Sequence, residues 1–168
     1  MLLFWLPALL IFIADRLSKI QVMRGMAVCE SHRVLGEFFR ITSVRNTGAA
    51  FGLFAGNHRV FLWISLAAIA LVLALYLRSG RGHRLRSLAL GLILGGALGN
   101  VYDRIRYHEV VDFLELSVGR FHWPVFNMAD SAVTVGVVLL ALETWLQSGA
   151  PAKQEAAGVA PPPGDGGS

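Results

Sequence analysis

The sequence is poor in charged residues and nearly without cysteine, and each shortage excludes a class of protein. Only 15% of its 168 residues are charged, whereas 55% are hydrophobic, a balance typical of membrane proteins. The single cysteine, Cys29, excludes an intrachain disulfide and a cysteine-rich metal site. The histidines have no ligand spacing such as His-x-x-x-His. We therefore expect no metal ion and no other cofactor.

The basic residues also lack the pattern of a nucleic-acid-binding surface. The formal net charge is +4, but the cations flank apolar runs, and no basic face interleaved with aromatic residues is present. We interpret them as a signal of membrane topology and expect no nucleic-acid partner. The apolar N-terminus has neither the basic region nor the small-residue cleavage site of a signal peptide, so we interpret it as part of a spanning helix.

Four apolar segments predict an all-α membrane protein with four transmembrane helices. They are residues 3–22, 60–77, 87–102 and 131–142, each extended by its flanking residues where needed to span. The third has glycine at every fourth position (Gly91, Gly95, Gly99), a spacing that lets helices approach closely in lipid. The fourth has only 12 uncharged residues between Asp130 and Glu143, so a spanning helix must include one of these acids. We expect Glu143 to lie near the opposite interface, within reach of water.

The loop between the second and third segments determines the predicted orientation. It carries four arginines and no acid (Arg78, Arg81, Arg84, Arg86), which makes it cytoplasmic by the positive-inside rule. Both termini are then cytoplasmic, and residues 23–58 and 105–126 face outward. Within the first outer segment, aromatic and β-branched residues predict a short strand or hairpin at 34–44. We expect one domain over residues 1–148 and a disordered tail over 149–168, rich in Pro, Gly and Ala.

Polar residues concentrate at the outer ends of these helices. No serine is paired with a histidine base, so nucleophilic catalysis has no candidate. Two aspartates held close together cannot both ionise cheaply, so one keeps a proton while the other activates water. Peptide hydrolysis without a covalent intermediate needs only such a pair. The polar residues available in this layer are Asp103, Asp112, Asp130, Asn46, Asn100, Asn127, Arg104 and Lys19, and Asp15 shares a helix face with Lys19.

Each of these residues also has a purely structural interpretation. Asp103 next to Arg104 fits a salt-bridged helix end, and Asn127 with Asp130 fits a capping box at the start of the fourth helix. Asp112 has the weakest structural explanation, because it interrupts an apolar, strand-like run. Two other functions remain open from the residues alone. One is a small proton or ion transporter, and the other is a non-catalytic membrane scaffold that binds through its glycine stripe.

The order of the polar motifs resembles that of the lipoprotein signal peptidases (signal peptidase II), which are aspartic membrane proteases. The motifs that carry the resemblance are Asp15-Arg16-Leu17-Ser18-Lys19, Asn46-Thr47-Gly48-Ala49-Ala50-Phe51-Gly52, Gly95-Gly96-Ala97-Leu98-Gly99-Asn100-Val101-Tyr102-Asp103-Arg104, Val110-Val111-Asp112-Phe113-Leu114 and Phe126-Asn127-Met128-Ala129-Asp130-Ser131. They follow the family order across residues 1 to about 147. Arg16 stands where the family commonly has Gln, and Ala14 where Thr is frequent.

The resemblance implies a fold, a substrate and a set of site residues. Its catalytic dyad corresponds to Asp112 and Asp130, and Asp103 corresponds to a structural position. The residues expected to bind substrate or support the site are Asp15, Lys19, Asn46, Gly48, Asn100, Arg104 and Asn127. The implied fold adds a small outer, periplasmic-side β-cradle to the four helices. The implied protein is a monomer of the bacterial inner membrane. Its substrate is a diacylglyceryl-modified prolipoprotein, cleaved N-terminal to the lipidated cysteine at the outer face, in contact with membrane lipid.

Overall fold

A computed structural model describes residues 1–48, 58–78 and 83–148 of the chain. These residues form four long helices and a small antiparallel sheet. The predicted tail over 149–168, part of the first outer segment (49–57) and part of the arginine-rich loop (79–82) lie outside the described residues.

Each helix is longer than the apolar run that predicts it. The helices are α1 (Leu2–Gly25), α2 (His58–Arg78), α3 (Arg84–Tyr107) and α4 (Met128–Ser148). Within the described residues, α2, α3 and α4 are long and apolar enough to cross a membrane. By composition α1 differs from them, since it carries Asp15, Arg16 and Lys19 within its apolar sequence. Those three side chains are buried, so α1 turns its charges toward the protein and leaves apolar residues such as Leu9 and Leu10 exposed.

The glycine stripe of α3 lies against α1, as its spacing predicts. A Cβ atom added to Gly91 would approach the carbonyl oxygen of Phe4 to 2.4 Å, and one on Gly95 would approach that of Ala8 to 2.5 Å. On the other side of α3, a Cβ on Gly96 would lie 2.4 Å from the carbonyl oxygen of Ala129 in α4. Such distances leave no room for a side chain. Helix α3 therefore packs directly against the backbones of both α1 and α4.

The sheet has the strand order β1-β2-β3-β4 and joins two segments that are distant in sequence. Strands β1 (Ser31–Leu35) and β2 (Phe39–Asn46) form the predicted hairpin. Strands β3 (Val110–Val118) and β4 (Phe121–His122) come from the connection between α3 and α4. β2 pairs antiparallel with β3, placing Val44 opposite Asp112. The description all-α is therefore incomplete, because the β-rich region is a four-stranded sheet built from both connections.

The alternation of β3 explains why an acid interrupts its apolar run. Val111 and Phe113 are buried against Val22 near the end of α1. Because successive side chains of a strand point to opposite faces, Asp112 points away from that cluster. It is nevertheless only 2% exposed, because asparagines from other elements cover it.

The prediction that Glu143 reaches water at the other end of the helices was wrong. Glu143 is only 5% exposed, and its carboxylate accepts a 2.8 Å hydrogen bond from Nε of Arg86 in α3. Gln147, one turn further along α4, also donates to it. A carboxylate buried among helices needs a cationic partner more than it needs water, and Arg86 satisfies that need by joining α3 to α4.

Candidate active site

Asp112 and Asp130 lie at the end of the helix bundle that carries the sheet. Asp112 belongs to β3, and Asp130 belongs to the first turn of α4. Asp130 is half-buried, in contrast to the nearly inaccessible Asp112. The charge of Asp130 acts on Asp112, and asparagine side chains contact both carboxylates. The structure therefore brings together the two residues that the sequence predicts as a dyad.

Asp112 receives a hydrogen bond on each carboxylate oxygen. Nδ2 of Asn46 donates to Oδ2 at 2.8 Å, and Nδ2 of Asn127 donates to Oδ1 at 2.6 Å. Burial, together with the charge of Asp130, raises the pKa of Asp112 to about 6, although the two amide donors and Lys19 act in the opposite direction. The desolvation of the charged form outweighs the hydrogen bonds. Asp112 thus keeps its proton to a higher pH than an ordinary aspartate does.

Asp130 lies in the capping box that the sequence predicts. Its backbone N–H donates to Oδ1 of Asn127 at 2.9 Å, and its own Oδ2 accepts from the backbone N–H of Asn127 at 3.3 Å. Its other oxygen accepts a 2.7 Å hydrogen bond from Nδ2 of Asn100 in α3. The N-terminus of a helix stabilises a negative charge. Asp130 thus combines a capping role with the surroundings of a carboxylate anion.

A buried cluster of charges underlies the dyad. The ammonium group of Lys19 lies 2.9 Å from a carboxylate oxygen of Asp15 and 2.9 Å from one of Asp103, and all three side chains are inaccessible to solvent. Arg16 forms a salt bridge with the other carboxylate oxygen of Asp103, and its guanidinium group stacks on the ring of Tyr102. The cluster therefore contains two acids and two bases, and it is electrically balanced.

This cluster corrects the expected partner of Asp103 and supplies a role for Asp15. Among the ion pairs of the described residues, Asp103 pairs with Arg16 and Lys19 and not with the adjacent Arg104. Asp103 also accepts a 3.3 Å hydrogen bond from the backbone N–H of Val111, next to the dyad. Asp15 accepts a 3.1 Å hydrogen bond from the backbone N–H of Ala129, next to Asp130. Both acids thus tie the helices to the chain segments that carry Asp112 and Asp130.

Asn46 owes its position to a turn that requires glycine. Its Oδ1 accepts a 2.8 Å hydrogen bond from the backbone N–H of Gly48. Gly48 has a φ of +98°, and a Cβ there would lie 2.2 Å from the ring of Phe61 in α2. Only glycine fits both the backbone and the space. The rest of this motif, residues 49–52, lies outside the described residues.

Arg104 is the cation that faces the dyad from α3. It interacts electrostatically with Asp130, Asp112 and Asp103, and its guanidinium donates a 3.4 Å hydrogen bond to Oγ of Ser65 in α2. This position allows it to bind a negatively charged or strongly polar group above the carboxylates.

An apolar cavity of about 340 Å³ opens beside Asp130. The sheet side contributes Leu116, Trp123 and Phe126, and α4 contributes Ser131, Thr134 and Val135 together with Asp130. Val135 and, one turn further, Val138 are also exposed on the outside of α4. The cavity is therefore continuous with the apolar surface of a membrane-length helix.

The arrangement provides acid–base chemistry. Among residues 1–48, 58–78 and 83–148, no three His, Cys, Asp or Glu side chains are grouped so that they could hold a metal ion. One carboxyl group is buried and readily protonated, and the other lies at a helix N-terminus. A pair of this kind can activate water and polarise a carbonyl group at the same time.

Some residues important to this geometry were not singled out from the sequence. Arg16 was noted only as a departure from a motif, although its spacing of three from Lys19 indicates a second cation on the same helix face. Trp123 and Leu116 of the cavity carry no sequence signal, because their proximity to Asp130 depends on how the sheet packs against α4.

Comparison with known proteins identifies the family. Residues 7–146 match the family model described as Peptidase_A8, signal peptidase (SPase) II. The chain belongs to the signal peptidase II family. It is therefore a peptidase, and the transporter and scaffold alternatives are set aside. Its relatives include the lipoprotein signal peptidase of Bacillus subtilis (strain 168), which is 42% identical over 154 residues covering 92% of this chain and 100% of that protein.

Further relatives and solved structures agree with this membership. The lipoprotein signal peptidase of Burkholderia thailandensis is 48% identical over 140 residues, covering 81% of this chain and 84% of that protein. A bacterial membrane enzyme solved by the in meso method at 2.3 Å resolution superposes with a TM-score of 0.79 at 31% identity, over 85% of this chain and 87% of that chain. A second such structure, at 1.9 Å resolution, gives 0.77 at 32% identity, over 83% and 90% of the two chains. The four helices and the sheet are thus arranged as in a known membrane enzyme.

Proposed function

We propose that this signal peptidase II removes signal peptides from diacylglyceryl-modified prolipoproteins by means of Asp112 and Asp130. The observation that carries the proposal is the pair of unlike carboxylates held by shared asparagines at one end of the helices. The bond cleaved would be the peptide bond on the N-terminal side of the lipidated cysteine. The names of the relatives, all lipoprotein signal peptidases, support this class of substrate.

The different surroundings of the two aspartates support a division of labour. Asp130, as the carboxylate, takes a proton from a water molecule whose oxygen attacks the scissile carbonyl carbon. Asp112, as the acid, donates its proton to the carbonyl oxygen, so that a neutral tetrahedral diol forms. In the collapse of the diol, a hydroxyl proton returns to Asp112, the C–N bond breaks, and Asp130 passes its proton to the leaving nitrogen. The dyad thereby returns to its starting state with one water consumed.

The apolar cavity beside Asp130 supports entry of a lipid-bearing substrate from the bilayer. It is lined by Trp123 and Phe126 on the sheet and Val135 on α4, and its volume of about 340 Å³ is that of a small-molecule site. A hydrocarbon chain would occupy it without desolvating charged groups other than Asp130. Arg104, which interacts electrostatically with both aspartates and does not line this cavity, can contact polar backbone or headgroup oxygens.

The proposed setting is the bacterial inner membrane, with all four helices spanning it and the enzyme acting as a monomer. The burial of the three charges in the middle of α1 (Asp15, Arg16, Lys19) supports a spanning role for this helix as well, with the exposed Arg24 in its last turn. The sheet and the dyad would then face outward, and Arg86, Glu143 and both termini would lie at the cytoplasmic end. The domain would comprise residues 1–148, with the tail from 149 onward contributing no site residue.

The decisive test is cleavage of a diacylglyceryl prolipoprotein by the reconstituted enzyme. Asp112→Asn and Asp130→Asn are each expected to lose activity by about 10²–10⁴-fold, because each removes one proton-transfer group. Glu115→Gln, which changes a carboxylate three positions further along β3, is the matched control and should retain activity. Near-normal turnover by either folded dyad variant would refute the assignment. Equal cleavage of the same precursor without its lipid would refute the proposed substrate class.

A further inference from the structure

Three asparagines donate to the dyad, and in each the amide can point in only one direction. Asn46 and Asn127 donate from Nδ2 to Asp112, and Asn100 donates from Nδ2 to Asp130. An amide side chain presents a donor on one side and an acceptor on the other, so a rotation by 180° would turn an oxygen toward the carboxylate. What holds the Oδ1 atom of each amide therefore determines whether the carboxylate meets a donor.

Two of the three amides are held by a backbone N–H group and one by a side chain. Oδ1 of Asn46 accepts from the backbone N–H of Gly48, and Oδ1 of Asn127 accepts from the backbone N–H of Asp130. Oδ1 of Asn100 accepts instead from the side chain of Lys19 at 2.9 Å. Asn127 also donates to this oxygen, but at 3.2 Å, and its shorter bond of 2.6 Å goes to Asp112. Only Asn100 thus depends on a side-chain cation for its orientation.

Lys19 is itself held firmly in this position. It is inaccessible to solvent, and Asp15 and Asp103 each lie 2.9 Å from its ammonium group. An ammonium group has donors and no acceptor, so it can only face the oxygen of Asn100. Arg16 pairs with Asp103, the second acid of the cluster, and balances its charge. Of the two cations, therefore, Lys19 is the one that connects the buried charges to the dyad.

We propose that Lys19 is a positioning residue for catalysis, because it fixes the amide of Asn100 so that its NH₂ group donates to Asp130. This inference rests on the proposed function of the dyad. A rotated Asn100 would turn its oxygen toward the carboxylate that must remain charged to activate water. Lys19 thereby sets the protonation pattern of the dyad from a distance, without contact with the substrate.

Charged groups from two helices face the dyad and contribute to its titration. Lys19 of α1 acts on Asp112, and Arg104 of α3 interacts with both aspartates, whereas Asp15 and Asp103 interact with these two cations. For Asp112, burial raises the pKa most, the charge of Asp130 adds to this, and the charge of Lys19 lowers it. Loss of Lys19 removes both a favourable charge and the control of Asn100. Both changes disfavour the singly ionised dyad, so activity at low pH should suffer first.

The test compares Lys19→Met with Arg16→Met in the full-length, reconstituted enzyme. We expect Lys19→Met to lower kcat by about 10- to 100-fold with little change in KM, and to move the acid limb of the pH–kcat profile upward by about one pH unit. Arg16→Met removes the other cation of the same cluster and should lower the melting temperature without moving the pH profile. If Lys19→Met alone does not fold, the double variant Asp15→Asn, Lys19→Met takes its place, because it removes one charge of each sign.

A double-mutant cycle with Asn100→Ala tests whether Lys19 acts through the amide. If it does, adding Lys19→Met to Asn100→Ala should change kcat by less than about threefold, because the group being oriented is already gone. Folded Lys19→Met enzyme with the kcat and pH profile of the wild type would overturn the inference, as would multiplicative effects in the cycle. If Asp112→Asn or Asp130→Asn retained turnover, the proposed dyad itself would fail, which is a separate outcome.

Discussion

At the scale of single residues, the two dyad aspartates differ because their neighbours differ. Asp112 is enclosed by β3 and two asparagines, whereas Asp130 lies in the first turn of a helix with partial access to solvent. Burial penalises the charged form of a carboxyl group, and a helix N-terminus favours it. In the proposed mechanism, the same residue type therefore acts as an acid at one position and as a base at the other.

The raised pKa of Asp112 predicts an alkaline limb in the activity of the free enzyme. As the pH rises through about 6, folded Asp112 loses the proton that the proposed mechanism requires, so kcat/KM should fall above this value. Since the ordinary pKa is 3.8, the folded state binds more protons than the unfolded state between the two values. Stability should therefore also decline with rising pH across that window. The measurement is kcat/KM from about pH 4 to about pH 9, and a profile that stays flat to the upper end contradicts the prediction.

At the scale of elements, the site depends on close contacts between helices. Asn100 lies one residue after Gly99, and a Cβ on Gly99 would approach the carboxylate of Asp15 to 2.5 Å. Gly96 of α3 lies against Ala129, the residue before Asp130. The glycines thereby set the distance between the helix that carries Asn100 and the segments that carry Asp15 and Asp130.

Substitution of these glycines tests the packing. Gly91→Ala and Gly96→Ala should each destabilise the protein by about 1–3 kcal/mol, because the new methyl group meets a carbonyl oxygen at 2.4 Å and the helix must move. Gly25→Ala is the matched control, since nothing lies within 4 Å of a Cβ there. Thermal unfolding in detergent measures the effect. Equal melting temperatures for all three variants would mean that the close approach carries no packing constraint.

Gly96→Ala should also reduce activity more than Gly91→Ala for the same loss of stability. Gly96 contacts the start of α4, whereas Gly91 contacts Phe4 in the first turn of α1, far from Asp130 in the chain. The comparison separates packing that stabilises the fold from packing that positions the base.

At the scale of the whole molecule, the two ends of the bundle are chemically different. One end has the sheet, the dyad and the buried cluster of two acids and two bases. The other has Arg86 with the buried Glu143, near the arginine-rich connection between α2 and α3. Apolar helix surfaces lie between them, as in a protein that spans a bilayer.

The single cysteine allows the predicted orientation to be measured. Cys29 is exposed and precedes β1 in the first outer segment, so a membrane-impermeant maleimide should label it in intact spheroplasts. The double variant Cys29→Ser, Ser148→Cys moves the thiol to the exposed end of α4. There it should react with the maleimide only after the membrane is permeabilised. The opposite labelling pattern would reverse the topology inferred from the arginine-rich loop.

Most of the fold could be predicted because its signals are local. Long apolar runs predict the helices, the alternation around Asp112 predicts a strand, and Asn127 with Asp130 predicts a helix start, each within a few residues of chain. Helix limits were less accurate, since α1 and α3 continue past their apolar runs into charged residues. Of these charges, Asp103 is buried through its pairing with Arg16 and Lys19 of α1, whereas Arg24 and Arg106 are exposed, and hydropathy along the chain distinguishes neither case.

The sequence by itself determined the helices, and the order of its motifs pointed to Asp112 and Asp130 as the candidate dyad, because both depend on residue type and order. Only the tertiary structure decided which charges pair, since Asp103 had an adjacent arginine available and pairs instead with Arg16 and Lys19, more than 80 residues earlier. It likewise decided that Glu143 is buried with Arg86. Ion pairs inside a helix bundle depend on which helix faces meet. The packing of the helices determines this, and the order of residues along the chain does not.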